Sequence, residues 1–397
     1  MTPERDPPAP LRLGFACLWA PDPEAMWSCI PWQLRAALRR TADLVDVGVT
    51  LPPPVRHLLR GLHARWWDGR LRSTWNTSFV TTTMARAAIS RTARRSGCEA
   101  VVEITDMAPV RSLPYFVFHD LSFDLLLERY DRAAGTGPYL EGVPLATVER
   151  WRRRQHRILS EAAGVFAMSK WLADDLVVNT GLAAERVHVV HPGASAASAT
   201  TTTIGLPSAR PQPRRKLLFV GSSFHSKGGP AILEALAILQ SSFDRELTLT
   251  IAGPRDWRPT GAEPPGVQFV GKLPLAEVAR LFQTHDLFVM PSRFEAFGIV
   301  FAEALSFGLP CVGRRLCAMP EIIEPGRNGA LVDDADPEEL AAAIAGLLAN
   351  DAVFEHCRAE APAVASYYSW DRAASQIVDI VERTLGGKPI SEAGTRR

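Results

Sequence analysis

"FEAFGIVFAEALSFGLP", Phe294 to Pro310, sets two glutamates into an apolar run punctuated by glycine. The preceding "LFVMPS" reads as a buried strand closed by Pro291 and Ser292. "RFEAFG" then becomes a strand-to-helix loop, and "IVFAEALSFG" a helix stopped by Gly308 and followed by Pro310. Glu295 is expected at the mouth of a sheet and Glu303 one to two turns along the helix. The helix N-terminus between them, near Gly298–Val300, offers free N–H groups and partial positive charge, which suits an anion.

The same strand-then-helix rhythm runs through most of the chain. "LRLGFACLW" precedes the helical "WQLRAALRRT" and then "LVDVGV"; "AVVEIT" and "PYFVFHD" precede "LATVERWRRRQHRILSEA", "GVFAMS", "KWLADDLVVNTG" and "VHVVHPG". Such alternation predicts a mostly parallel sheet covered by helices. "GASAASATTTTIGLPSARPQPRR" follows, poor in large apolar residues, and reads as a linker or surface loop. The rhythm restarts at "KLLFVGS" and continues to "DPEELAAAIAGLL", a second α/β unit. Expected boundaries are 1–192 for the first unit, 193–213 for the connection, 214–368 for the second unit and 369–397 for a last helix and tail. Ligands of open α/β sheets bind at the carboxyl ends of strands, where "VGSSFHSKGG" and "PSRFEAFG" both lie.

At 397 residues, 47% of them hydrophobic and 22% charged, the chain has the composition of a folded protein long enough for two cores. A net charge of +1 argues against a nucleic-acid binder driven by bulk electrostatics. Residues 1–192 carry 24 Lys+Arg against 20 Asp+Glu, however, so the first unit leans basic. The six cysteines form no C-x-x-C pair and have no histidine at zinc spacing, which predicts reduced thiols and a cytoplasmic setting. "LGFACLWA" is too short for a signal segment and reads as the first strand, and no apolar run approaches a membrane span.

With Glu295, Glu303, "FG" and "EAL" in this order, the chain resembles the retaining GT-B glycosyltransferases of family 4 and their E-x7-E signature. "KLLFVGSSFHSKGG", "LTLTIAG", "VQFVGKL" and "PEIIEPGRNGALVDDADPEELAAAI" follow in the family's order, so the resemblance covers nearly the whole chain. "WSCIPW" (Trp27–Trp32) and the "FVGSSFHSKGG" loop resemble a narrower subset. The resemblance implies two Rossmann-like domains facing each other across a cleft, with acceptor on the first and donor on the second, and a final helix crossing back. It implies transfer of a hexosyl group from a UDP- or GDP-sugar to a saccharide, lipid-linked or natural-product acceptor, without metal or other cofactor. A nucleotide-sugar epimerase and a nucleotide-sugar binding protein without turnover are the alternatives.

Carried over position by position, Glu303 would accept hydrogen bonds from ribose hydroxyls. Glu295 would hold hydroxyls of the donor sugar beside the Phe297 and Gly298 backbone, with the Ile299 and Val300 N–H groups facing the diphosphate. Lys227 would neutralise the leaving diphosphate. Members often carry arginine after the strand glycine, here Gly221, but this chain has Ser222. His119 is placed near the donor sugar, and Asp120 beside it is a candidate cap for the following helix. Trp27, Ser28 and Cys29 occupy the acceptor loop where the family has glycines, and "CAMPE" at Cys317–Glu321 replaces a frequent glycine pair.

"DDAD" at Asp333–Asp336 contains a D-x-D, but Pro337 and a helical run follow, so Asp336 is expected to be an N-cap rather than a metal ligand. "VRHLLRGLHARWWDGRLR" (Val55–Arg72) puts Leu58, Leu59, Leu62 and Trp66 on one face if wholly helical. It is read first as a packing or acceptor-loop helix, and second as a weak peripheral contact with anionic lipid.

Overall fold

The computed structural model describes residues 10–24, 26–67, 69–106, 110, 113–198, 208–254, 264–334 and 336–386. The chain divides into two compact units, Met1–His191 with Ala373–Arg397, and Pro192–Arg372.

The first unit holds β1 (Arg12–Ala16), β2 (Asp43–Asp46), β3 (Ala64–Trp67), β4 (Arg70–Ser73), β5 (Ala100–Ile104), β6 (Tyr115–His119), β7 (Gly164–Ala167) and β8 (Val187–Val189). Six of them form one sheet in the order β2-β1-β5-β6-β7-β8, and every pairing in it is parallel. β5 and β6 are buried at every position, as expected of strands covered on both faces.

β3 and β4 form a separate antiparallel hairpin with Trp67 opposite Arg70. The single helix considered for Val55–Arg72 is therefore wrong. The helix is Pro53–Leu62, and of the expected apolar face only Leu59 is buried. The overlooked signal is the sequence Asp68–Gly69 between the two strands, and Gly69 has a φ of +68°.

The second unit holds β9 (Lys216–Val220), β10 (Thr248–Ala252), β11 (Val267–Gly271), β12 (Leu287–Val289), β13 (Cys311–Arg314) and β14 (Gly329–Val332). Its sheet runs β11-β10-β9-β12-β13-β14, again all parallel. The chain enters at the middle of the sheet, builds to one edge, then returns to build the other. The order reverses between β9 and β12, so the loops after these two strands leave the carboxyl edge side by side. Arg293 N donates to Ser226 O at 3.0 Å and joins them. Below, a phenylalanine core locks the helix Ile299–Ser306 to the sheet: Phe301 meets Phe288 edge-on at 5.3 Å.

Residues 193–213 were expected to be a linker or surface loop; 208–213 are irregular and largely exposed, but the stretch from 193 to 198 packs into the second unit. Gly193 to Ala196 are buried, and Ser195–Ser198 forms one short helical turn. A Cβ at Gly193 would lie 2.5 Å from the Trp370 backbone nitrogen, so only glycine allows this approach. Arg210 donates to the carbonyls of Phe282, His285, Phe307 and Gly308, closing the C-terminal ends of two helices with one guanidinium. Residues 199–207 lie outside the described ones. The last helix, Trp370–Leu385, belongs to the first unit from Ala373 onward.

Candidate functional site

The loop after β9 carries Lys227 and the loop after β12 carries Glu295, and the sheet order brings them together. Lys227 Nζ donates to Glu295 Oε2 at 2.6 Å, with both side chains only about one-eighth exposed (12% and 13%). Gly228, next to the lysine, caps the helix Gly229–Ser242 in a left-handed conformation with φ +82°. A Cβ there would lie 2.4 Å from Pro291 O, so the glycine lets the two loops touch. Gly221 lies under the lysine stem, and Ser222 is exposed with no charge to offer.

Gly298 repeats the device. It is the left-handed cap (φ +85°) of Ile299–Ser306, and the helix begins at Ile299 and Val300 with no side-chain cap. The first N–H groups of that helix therefore have no side-chain cap, and Gly298 lies against the stem of Glu295, the partner of Lys227. Phe297 is buried beside them.

Glu303 sits one turn further in and is buried. Its Oε1 accepts from Ala196 N at 2.9 Å, so it also holds the turn Ser195–Ser198. Burial pushes its carboxyl up to about 7, against the downward pull of the Ala196 and Ser195 N–H groups. Each carboxylate oxygen has two lone pairs, so the bond to Ala196 leaves acceptor capacity for a hydroxyl donor.

In the first unit the order reverses between β1 and β5, and the loop after β1 ends in Trp27, Ser28 and Cys29. All three are left-handed, with φ of 45°, 54° and 68°. The glycines that the resemblance expects are missing, yet the glycine conformation is kept. Cys317, in the second position of missing glycine, is likewise left-handed at φ +55°. Pro31 near the start of the following helix, Ile30–Thr41, fixes its entry. Arg35 of this helix lies over both Trp19 and Trp32 and pairs with Asp46, which holds the loop from behind.

His119 ends β6 and is buried. Its Nδ1 accepts from Leu121 N at 2.9 Å, so the neutral ring carries its proton on Nε2, 3.1 Å from Asp106 Oδ1. Asp120 Oδ1 is 3.7 Å from Nδ1 and does not cap the next helix; Ser122 does, accepting from Leu125 N. A serine oxygen directly before the helix reaches its N–H groups, whereas Asp120 lies two residues too early.

Asp336 caps Pro337–Leu348 through Glu338 N and Glu339 N, as its sequence context predicts. Asp333 and Asp334 pair with Arg315 and Arg314. Among the described residues no three histidine, cysteine or carboxylate side chains converge as a metal site.

Known proteins resemble this chain in its second unit and in its fold. Residues 214–350 match the family described as Glycosyl transferases group 1. A D-inositol 3-phosphate glycosyltransferase from Xylanimonas cellulosilytica is 29% identical over 259 residues, 59% of this chain and 60% of that relative's length. The fold of sucrose-phosphate synthase from Thermosynechococcus elongatus superposes with a TM-score of 0.70 at 17% identity, over 95% of this chain and 100% of that one. Anabaena HepE, solved with UDP-glucose, gives 0.62 at 17% identity, over 94% and 100%. The chain has the GT-B fold of two parallel-sheet α/β domains. Its second unit carries a group 1 glycosyltransferase domain.

Proposed function

We propose that the chain is a retaining glycosyltransferase that moves a hexosyl group from a nucleotide diphosphate sugar to an acceptor hydroxyl. The observation that carries this reading is the set of groups gathered at the carboxyl edge of the second unit's sheet. A lysine, a free helix N-terminus and two carboxylates stand at one sheet switch point, and they match the parts of such a donor.

In this reading Glu303 accepts from the ribose, and the Ile299 and Val300 N–H groups meet the diphosphate. Lys227 has three N–H donors, so it can keep Glu295 and still reach a phosphate oxygen. Glu295 then has two tasks: it aims the lysine and accepts from sugar hydroxyls. As the bond from the anomeric carbon to the phosphate oxygen breaks, negative charge grows on the diphosphate, where the lysine and the helix N-terminus stabilise it. The acceptor oxygen bonds to the same face of the anomeric carbon, and its proton passes to the departing phosphate oxygen. His119 is assigned to the sugar, with Asp106 holding its ring, and the loop Trp27–Cys29 with Asp120 to the acceptor. In this reading the lysine and the helix N-terminus take the place of a metal at the diphosphate.

A UDP-sugar is the first donor to test, and an inositol phosphate, after the relative's name, belongs in the acceptor panel beside saccharides and lipid-linked acceptors. The test is NMR of the product formed with each acceptor, with and without chelator. An α-linked product from an α-linked donor, unchanged by chelator, supports the reading. An inverted product refutes retention, and rescue only by added metal refutes metal independence. Release of isomerised nucleotide sugar without an acceptor would identify an epimerase instead.

A further inference from the structure

Three adjoining pieces of the first unit leave apolar side chains in water. Leu58 and Leu62 stand one turn apart on Pro53–Leu62 and are 63% and 69% exposed. Trp66 and Leu71 are direct partners across the β3–β4 hairpin, 74% and 63% exposed. Val80 and Met84 are exposed one turn apart at the start of the helix Phe79–Arg95. Ser73 Oγ donates to Arg60 O and Thr74 N to His63 O, so the first helix and the hairpin form one continuous surface. Isolated exposed leucines are ordinary, but successive pairs on adjoining elements mark a surface built to meet something apolar.

The same stretch is strongly cationic. Between Pro53 and Arg95 lie nine arginines and a single acidic residue, Asp68, in a chain whose total is only +1. Arg72 is partly offset by Glu141 at 3.3 Å. Arg91, Arg94 and Arg95 are exposed in the last turns of Phe79–Arg95. Arg86, Arg91 and Arg94 line a hollow of about 310 Å³ together with Ser90, whose buried hydroxyl has no hydrogen-bond partner. Guanidinium groups suit a phosphate ester. Aliphatic side chains have no task against a nucleic-acid backbone, whereas leucine with tryptophan among arginines suits the boundary between phospholipid headgroups and acyl chains. Among the described residues no single helix is long and apolar enough to cross a membrane, so the contact is with its surface.

We propose that this face of the first unit docks on the surface of an anionic phospholipid bilayer, with Leu58, Leu62, Trp66 and Leu71 entering the interface and the arginines meeting lipid phosphates. The proposal does not depend on turnover.

It is tested by co-sedimentation of the full chain with phosphatidylcholine vesicles, with and without phosphatidylglycerol. Binding should require the anionic lipid and weaken as salt is raised. Leu58→Glu with Trp66→Glu, and separately Arg91→Glu with Arg94→Glu, should each lower binding by about tenfold or more. Both variants should keep the parent melting temperature and nucleotide affinity. Trp66→Phe should still bind but lose the blue shift of tryptophan emission on vesicles. Absence of binding to anionic vesicles, or binding that both variants retain, overturns the proposal. So does a dimer broken by Leu58→Glu with Trp66→Glu in a chain that ignores vesicles, which assigns the face to a second copy. Oligonucleotide binding that needs only the arginines, without vesicle binding, overturns it as well.

Discussion

Lys227 and Glu295 neutralise one another where two loops meet with little exposure, so removing either takes away the other's ion-pair partner. Each single alanine variant should lose stability, by roughly 3–5 kcal/mol if the site behaves as a buried pair. The double variant should lose clearly less than the sum, with a coupling of about 0.5–3 kcal/mol in denaturant titrations. Additive losses would show that the pair is incidental. Glu303 makes a pH prediction. Its folded-state pKa, about 7, lies above the ordinary 4.5, so the native state holds the proton that the unfolded chain releases. That contribution to stability is full below about 4.5 and is lost as pH rises through about 7. Glu303→Gln should therefore gain stability relative to the parent across this window, and a constant difference would contradict the shift. The left-handed cysteines give a third test. A non-glycine residue in this region costs about 1–2 kcal/mol, so Cys29→Gly and Cys317→Gly should each recover part of that in thermal melts, offset by glycine's larger unfolded-state entropy. Losses beyond 1 kcal/mol at both sites, by contrast, would show that the thiols hold these turns.

At the level of elements, the E-x7-E helix was legible because Pro291, Gly298 and Gly308 punctuate it, and the structure starts it at Ile299 as those residues indicate. The hairpin was missed because leucines at helical spacing run into "ARWWDGRLR", and only Asp68–Gly69 marks the change of period. The turn Ser195–Ser198 was missed for a different reason. Its small residues look like linker composition, but Gly193 meets Trp370 too closely for a Cβ, and the backbone of Ala196 donates to Glu303. Gly228 joins two elements in the same way. Gly228→Ala places a Cβ against Pro291 O on a φ of +82°, so it should destabilise the second unit by about 1–3 kcal/mol. It should also weaken nucleoside diphosphate binding, because the loop that aims Lys227 must shift. A variant with parent stability and parent affinity would show that the two loops do not need this approach.

Over the whole molecule, the alternation of strands and helices announced two parallel sheets, and both are present. What the pattern could not supply is strand order, and strand order makes the site. Lys227 and Glu295 are 68 positions apart and Glu303 is 107 from Ala196, pairings set by which strands are neighbours rather than by any local periodicity. The resemblance named these residues one at a time, but not the ion pair that joins two of them or the turn that holds the third. The measurement that bears most directly on the account is calorimetric titration of the chain and of its Glu303→Ala variant with uridine and guanosine diphosphates. The account predicts that at least one nucleotide binds the parent, and that the variant loses about tenfold or more in affinity, the worth of a hydrogen bond to a charged group. Equal affinity in parent and variant, or no binding of either nucleotide to the parent, would contradict it.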